Sequence, residues 1–412
     1  MSEPESRSTA DPAHDRPADT PAFPTGPAPA RHPALTPAGM TAAMSLMLLL
    51  GMCTGTIGAA LPKLRDHFAV SDGAAAQSIT VYNLGALVAI VGCAALTRRR
   101  TPPRAVATPM RVTTHSLILF ALGTATMGLS PGFEVFLVGV AVAGSGYGSL
   151  VLHLNSTFAQ GFTEHNVVMV NMINALFGTG AILGSLAIAP LGAKGVLASF
   201  AATAILAALT FPAVGTTRAI KAEPPTAARP GRRELAALAP FIMIALFYAG
   251  LETGTAGLES TYLTHVGHSD DYAAVGTALF WAGLTIGRVV IPPLARRTAP
   301  ATLLAYISAT AGLAALAALI PDAALIAFAV AGIAMGPIFP TTLAWLARSH
   351  PAAHTANSAL LVASMIGSTT LPALVALLGQ TTSTRVIPLA IATIGAAVFL
   401  TVLRRPSPAP RP

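Results

Sequence analysis

From residue 40 onward, apolar stretches of about twenty residues, the length that spans a bilayer as a helix, alternate with short polar breaks. Twelve such stretches are legible. The first half holds 40–62, 73–96, 111–130, 133–158, 166–190 and 194–215; the second holds 236–264, 272–296, 299–320, 322–347, 355–379 and 384–403. Ahead of them, residues 1–38 are rich in Pro, Ala, Asp and Arg and carry no apolar period, which predicts a disordered cytoplasmic tail. That segment lacks the early apolar core of a signal peptide, so the first apolar run is expected to be a retained helix. The polar stretch 216–234, with Pro224, Pro225 and Pro230, predicts a cytoplasmic linker between an N-terminal six-helix bundle at 39–215 and a C-terminal one at 235–404; residues 405–412 form a short second tail. The expected fold is an all-α membrane protein of twelve transmembrane helices in two pseudo-symmetric six-helix bundles.

Composition agrees with this pattern. Of the 412 residues, 53% are hydrophobic and only 10% charged, against roughly 25% charged in a soluble domain. A chain of this length with so little charge needs lipid around most of its surface. The formal charge of +8 points to no nucleic-acid partner, because the basic residues form no face interleaved with aromatics. They follow instead the asymmetry by which cytoplasmic loops collect Lys and Arg. Nineteen of the 24 lie in the tails or in the breaks after even-numbered helices, among them Arg98, Arg99, Arg100, Arg104, Arg218, Lys221, Arg229, Arg296, Arg297 and Arg348. The opposite side holds Lys63, Arg65, Lys194 and Arg385, and Arg288 lies within a span. Both termini are therefore expected in the cytoplasm of a multi-pass protein of the cell's inner membrane, which requires an even number of helices. Cys53 and Cys93 both fall in apolar spans and read as packing residues.

The two halves repeat each other. Gly51-Met52-Cys53-Thr54-Gly55-Thr56-Ile57-Gly58 in helix 1 matches Gly250-Leu251-Glu252-Thr253-Gly254-Thr255-Ala256-Gly257 in helix 7. Ala141-Val142-Ala143-Gly144 with Gly148 in helix 4 matches Ala329-Val330-Ala331-Gly332 with Gly336 in helix 10. Parallel halves related by an axis along the membrane normal place helices 1, 4, 7 and 10 around a central cavity. The glycine-broken helices mark the expected substrate site, with Gly55 and Gly254 as matched gating positions.

Candidate chemistry concentrates on helix 7. Of sixteen acidic residues, only Glu252 and Glu259 lie well inside a span, where a carboxylate costs about 2–3 kcal/mol even on lenient scales. Tyr248, Glu252, Thr255, Glu259 and Tyr262 follow helical spacing and form one stripe. Such a stripe is a substrate path or a proton-coupling route. The alternatives are a solvated Glu259 near the outer interface and a Glu252 bonded to a neighbouring helix. Arg288 is read first as a gate, balancing a glutamate or binding backbone carbonyls, with snorkelling to headgroups as the other reading. His153 and Asn155 on helix 4, and Asn171 and Asn174 on helix 5, can hold a hydroxylated solute or bond to each other; His153 is a proton relay or a packing residue. Trp281 can stack on a ring. There is no nucleotide-binding loop, no zinc-protease motif and no nucleophile elbow. An enzyme and a primary pump are thereby disfavoured, and no cofactor is expected beyond a proton gradient.

At these residues the chain resembles the major facilitator superfamily, and within it the fucose–hexose–proton symporter and sugar permease clade. The resemblance is carried by Phe247-Tyr248-Ala249-Gly250-Leu251-Glu252-Thr253-Gly254, by Phe280-Trp281-Ala282-Gly283-Leu284 with Gly287-Arg288, and by Asn155 with Asn174-Ala175-Leu176-Phe177-Gly178. It implies a monomeric secondary transporter working by alternating access, with Glu252 and Asn155 near a sugar site. The chain departs from the clade in having no acid in helix 1 and Val151 four residues before Asn155. A drug or natural-product exporter and a non-transporting sensor or assembly protein are the rival functions.

The charge asymmetry makes a testable statement. Reporter fusions at Arg100, Arg229 and Arg405 are expected to read cytoplasmic and one at His268 external; an external reading at Arg229 would contradict the two-bundle arrangement.

Overall fold

In hydrocarbon every backbone amide and carbonyl must be satisfied within the protein, so an apolar chain of this length has helices as its solution. The computed structural model describes residues 35–98, 108–160, 162, 165–214, 232–349 and 356–404, and among them there are helices and no strand. The predicted tail up to residue 34, the linker 216–234 up to Gly231, the arginine-rich loop 99–107 and residues 405–412 lie outside the described residues; the last four residues predicted as tail are ordered instead, since Leu35 is buried and Pro37 opens α1 behind the Thr36 cap. The first half contains α1 (Pro37–Ala59), α2 (Leu61–Phe68), α3 (Asp72–Arg98), α4 (Thr108–Gly128), α5 (Phe133–Gln160), α6 (Asn166–Ile188), α7 (Ala193–Leu209) and α8 (Phe211–Val214). The second contains α9 (Arg232–His265), α10 (Asp270–Leu294), α11 (Pro300–Ala317), α12 (Ala324–Met335), α13 (Ile338–Ser349), α14 (Ala356–Thr381) and α15 (Val386–Leu403). Eleven stretches among the described residues are long and apolar enough to cross a membrane, and α4 stands where the remaining predicted span falls.

Three predicted spans are subdivided, each at a proline that cannot donate an amide hydrogen. The first span breaks at Ala60, before Pro62; the sixth breaks at Thr210, before Pro212; the tenth divides at Gly336-Pro337. The helix ends carry ordinary chemical signals. Thr36 Oγ1 accepts from the Gly39 amide at 3.1 Å, and Ser269 Oγ accepts from the Tyr272 amide at 3.2 Å. Asp270 and Asp271 sit in the first turn of α10, where the helix dipole favours negative charge.

The two halves use the same packing. In the first, α1 lies on α6, α3 and α4 on α5, and α4 on α7; in the second, α9 lies on α14, α10 and α11 on α12, and α11 on α15. Between the halves α3 meets α14 and α10 meets α6, two contacts that exchange under the same two-fold relation. Small residues allow this closeness. A Cβ on Gly51 or Gly55 would stand 2.0 or 2.2 Å from the carbonyl oxygens of Phe177 and Ala181, while one on Gly180 or Gly184 would meet those of Leu48 and Met52 at 2.0 and 2.3 Å. The helix 4 and helix 10 repeat is equally physical: Gly144 packs on the Tyr82 carbonyl and Gly332 on that of Phe280. Large apolar side chains such as Val88, Leu122, Leu209, Ile326 and Leu377 face outward, as a lipid-facing surface requires. Cys53 and Cys93 form no disulfide.

The repeat between helices 1 and 7 differs from expectation in two ways. Both α1 and α9 run unbroken through Gly55 and Gly254. Moreover Gly55 is locked against α6, whereas a Cβ on Gly254 would meet nothing nearer than Pro372 at 4.0 Å. Sequence likeness here does not carry equal packing, because α14 approaches α9 through Gly367 on the Leu246 carbonyl instead. Gly55→Ala is therefore expected to lower the thermal midpoint of the purified protein by several degrees, and Gly254→Ala to leave it unchanged or slightly raised, since Ala gains about 0.5–1 kcal/mol over Gly in a helix. Equal effects in the two variants would show that the α1–α6 contact is not as tight as drawn.

Candidate functional site

A proline at position 340 begins the construction of the site. The carbonyl of Gly336 would ordinarily accept from the amide four residues on, but Pro340 has none. Arg288 Nε of α10 donates to that carbonyl at 3.3 Å. Its Nη2 reaches both carboxylate oxygens of Glu252 at 3.4 Å and the Tyr248 hydroxyl at 3.3 Å. Tyr248 in turn stacks on Phe339 of α13, with ring centroids 6.0 Å apart. Arg288 thus both balances a glutamate and holds a carbonyl. The ion pair is 29% exposed on the Arg side and 18% on the Glu side. Its 3.4 Å separation is long for a charge-assisted bond, which favours about 2.7–2.9 Å.

Glu252 lies on the edge of a cavity of about 100 Å³ between the halves. Thr54, Ile57 and Gly58 of α1, Ile79, Tyr82 and Asn83 of α3, Tyr147 of α5 and Phe177 of α6 form one wall; Glu252, Thr253, Ala256 and Gly257 of α9 with Trp281 of α10 form the other. Four aromatic rings cluster there, Tyr82 on Tyr147 at 4.9 Å, Tyr147 near Phe177 at 6.3 Å and Phe177 edge-on to Trp281 at 6.1 Å. The indole nitrogen of Trp281 is buried without a hydrogen-bond partner and is left for an incoming acceptor, while the Tyr82 hydroxyl stands beside Thr54 and Cys53.

One end of the cavity is shut. Ser260 of α9 donates to the Gly58 carbonyl of α1 at 2.7 Å across the halves. Beyond it, Lys63 of α2 donates to the carbonyls of Ile188, Ala189 and Leu191 at 2.8, 3.0 and 2.8 Å, holding the turn that ends α6. The same ammonium binds Asp271 of α10 at 2.9 Å. His265 of α9 lies 3.3 Å from Asp72 of α3, which also takes Arg65 at 3.1 Å. The hydrogen bond to Asp66, at 2.7 Å, is the largest influence raising Arg65 above the ordinary guanidinium range, so its charge stays paired with Asp66 and Asp72.

The other expected residues are placed as follows. Of the helix 7 stripe, Glu252 reaches the cavity, and Tyr248 stands behind it. Thr255 is fully buried and donates to the Leu251 carbonyl. Glu259 is buried, not solvated at the interface. Tyr262 donates to the Ala318 carbonyl at 2.7 Å and packs edge-on against Phe328. The stripe therefore faces chiefly α10, α12 and α13, and the cavity takes the adjoining face through Thr253, Ala256 and Gly257. Asn174 donates to Asn155 Oδ1 at 3.1 Å, and each amide also donates to a carbonyl four residues back; the pair ties α5 to α6 and does not line the cavity. His153 is half-buried on α5, also away from the cavity lining. Helices at the first, fourth and seventh spans line the cavity as expected; the tenth does not, and the second, fifth and eighth do. Tyr82, Asn83, Tyr147 and Lys63 were not singled out in the sequence. The signal available was the run Gly144-Ser145-Gly146-Tyr147-Gly148, a large polar ring held among glycines.

The molecule has known relatives. The family model of the Major Facilitator Superfamily matches residues 43–362, and no protein of curated function matches. Among solved structures, the fucose:proton symporter FucP of E. coli aligns with a TM-score of 0.62 at 16% identity, over 89% of this chain and 98% of that one. The nucleoside transporter NupG aligns at 0.70 and 12%, over 89% and 98%. The peptide transporter POT in complex with alafosfalin aligns at 0.70 and 12%, over 90% and 95%. Paired six-helix halves around a cavity, and a family match over most of the chain, lead to one conclusion: this multi-pass membrane protein belongs to the Major Facilitator Superfamily and is a transporter, not an enzyme.

Proposed function

We propose that the protein is a secondary active carrier that takes up a small, ring-bearing polar solute, a sugar or a similar metabolite, by alternating access coupled to protons through Glu252. The observation that carries this reading is the Glu252–Arg288–Tyr248 cluster, hung on a proline-freed carbonyl and open to a cavity walled by both halves. The aromatic rings suit the flat face of a ring, and Asn83, Thr253, Tyr82 and the unpartnered Trp281 indole suit its oxygens. A free volume of about 100 Å³ is below the roughly 300–1,000 Å³ of small-molecule pockets, so admitting such a solute requires the halves to move. Taken with the charge asymmetry, the α2 end is the outer side, the tails are cytoplasmic and the shut end is the outer gate; the carrier acts as a monomer in the inner membrane, with lipid as its surround.

Coupling follows from charge. Ionised, Glu252 holds Arg288 and so ties α9 to α10. Protonated, it gives up that attraction, and Arg288 keeps only the Gly336 carbonyl and Tyr248. The proton therefore changes how firmly two cavity helices are joined, which is the differential interaction a conformational shift needs. That the fold relative FucP is a fucose:proton symporter supports this reading over export of a lipophilic compound.

Glu252→Gln is expected to abolish pH-driven accumulation of labelled sugar in proteoliposomes while leaving exchange of labelled for unlabelled sugar. Accumulation that still follows the imposed pH gradient in that variant would remove Glu252 as the proton carrier. No sugar flux in the wild type, with lowered cellular content of a lipophilic compound, would favour the exporter; no flux of either would favour the sensor.

The outer gate is tested separately. In a background with Cys53→Ala and Cys93→Ser, Thr54→Cys should react slowly with a membrane-impermeant thiol reagent added outside. Adding Lys63→Met removes the donor to four acceptors, worth about 1.5–3 kcal/mol for one charged hydrogen bond alone, and should speed labelling about tenfold or more. Unchanged labelling would show that Lys63 does not hold the gate.

A further inference from the structure

Glu259 is 0% exposed, and neither carboxyl oxygen has a hydrogen-bond partner. It does not line the cavity. It points instead from α9 at Gly276 of α10, where an added Cβ would stand 3.0 Å from Oε1 and 2.6 Å from the Leu263 side chain, with Leu325 of α12 closing the other side at 3.4 Å. The missing side chain at Gly276 is the space the carboxyl occupies. A cradle shaped by a glycine around an acid, with apolar walls and no cation, is a different environment from that of Glu252, which has Arg288.

The charged and titratable groups around this cradle are few. On α9 they are Tyr262, one turn on, whose hydroxyl donates to the Ala318 carbonyl, Glu252, seven residues back and about 10 Å along the helix, Tyr248 beyond it, which accepts from Arg288, and His265, which is engaged with Asp72. On α10 none lies between Tyr272 and Arg288, and Asp270, Asp271 and Tyr272 stand one to two turns toward the α2 end. Helices α12 and α14 contain none, and α15 has Arg385 at its start. The described structure records no ion pair or hydrogen bond from any of these to Glu259. A carboxylate buried without a counter-charge loses its hydration with nothing in return, whereas the neutral acid does not.

We propose that Glu259 is a second proton-binding site, inside the second half and separate from the cavity, which holds its proton as the neutral acid while α9 and α10 are packed as in this conformation. The bond formed is the carboxyl O–H; the proton comes from water and returns to it. As a part of coupling, this site rests on the proton-coupled reading above; as a proton site, it does not.

The test needs no cargo. Purified full-length protein in lipid nanodiscs is measured by infrared difference spectroscopy in light and heavy water at neutral pH. The expected result is a carboxylic-acid carbonyl band that shifts on deuteration, survives Glu252→Gln and disappears in Glu259→Gln. Gly276→Ala, whose methyl would press on Oε1, should displace the same band, and serves should Glu259→Gln not fold. Absence of the band in the wild type, its persistence in Glu259→Gln, or indifference to Gly276→Ala overturns the proposal. If the band behaves as expected while Glu252→Gln still accumulates sugar with the pH gradient, the Glu252 reading fails and the site stands. If coupling through Glu252 holds but the band is missing, only the Glu259 site falls.

Discussion

Pro337 and Pro340 withhold two amide hydrogens in succession, and in a bundle surrounded by hydrocarbon the carbonyls they leave behind cost several kcal/mol each unless something else donates to them. Arg288 meets one of these needs at Gly336. Having done so, its guanidinium is fixed where Glu252 and Tyr248 can share it. The position of a charged pair near the middle of a membrane protein thus follows from a backbone defect on a third helix. The break between α12 and α13, the rotamer of Arg288 and the orientation of Glu252 toward the cavity are one arrangement. Removing Arg288 would leave both a bare carboxylate and a bare carbonyl.

The remainder of each half is arranged to be stiff. Gly51 and Gly55 against Gly180 and Gly184 in the first half, and Gly283 and Gly287 against Gly332 and Gly336 in the second, bring helix backbones into contact. Association in lipid depends on such van der Waals closeness, since lipid tails compete on equal terms with leucine. Contacts between the halves add polar links to such close approaches, of which Gly58 on the Ala256 carbonyl is one. They are polar and few at the α2 end, where Lys63, Asp271, Asp72, His265 and Ser260 meet. Packed interiors with polar, exchangeable contacts between them are what a pair of bodies rocking about a central site requires.

Much of this was legible in residue order. Twelve apolar stretches and the distribution of Lys and Arg specify a twelve-helix membrane protein, because backbone satisfaction in lipid leaves little else. The helix 4 and helix 10 repeat was a true packing signal, since both glycines meet the equivalent neighbouring helix. The helix 1 and helix 7 repeat, although longer, was not equivalent in packing: a glycine records that a side chain is missing and says nothing about which neighbour occupies the space. Glu252 and Arg288 stood out because charge inside an apolar span is costly and needs a reason to be there.

What tertiary structure alone decided is which of several plausible partners each polar group took. Asn155 had a solute or Asn174 open to it and took Asn174. Glu259 had solvent or burial and took burial. Tyr82, Tyr147 and Phe177 became cavity walls through the meeting of α3, α5 and α6. Helical periodicity states which residues share a face and is silent on what that face meets. The chain by itself therefore determined the number of helices, their amphipathic faces and the location of the costly charges, all of which are local consequences of hydropathy and 3.6-residue spacing. Their pairing depends on the rotation and depth of one helix against another, and that is set by close packing over the whole bundle.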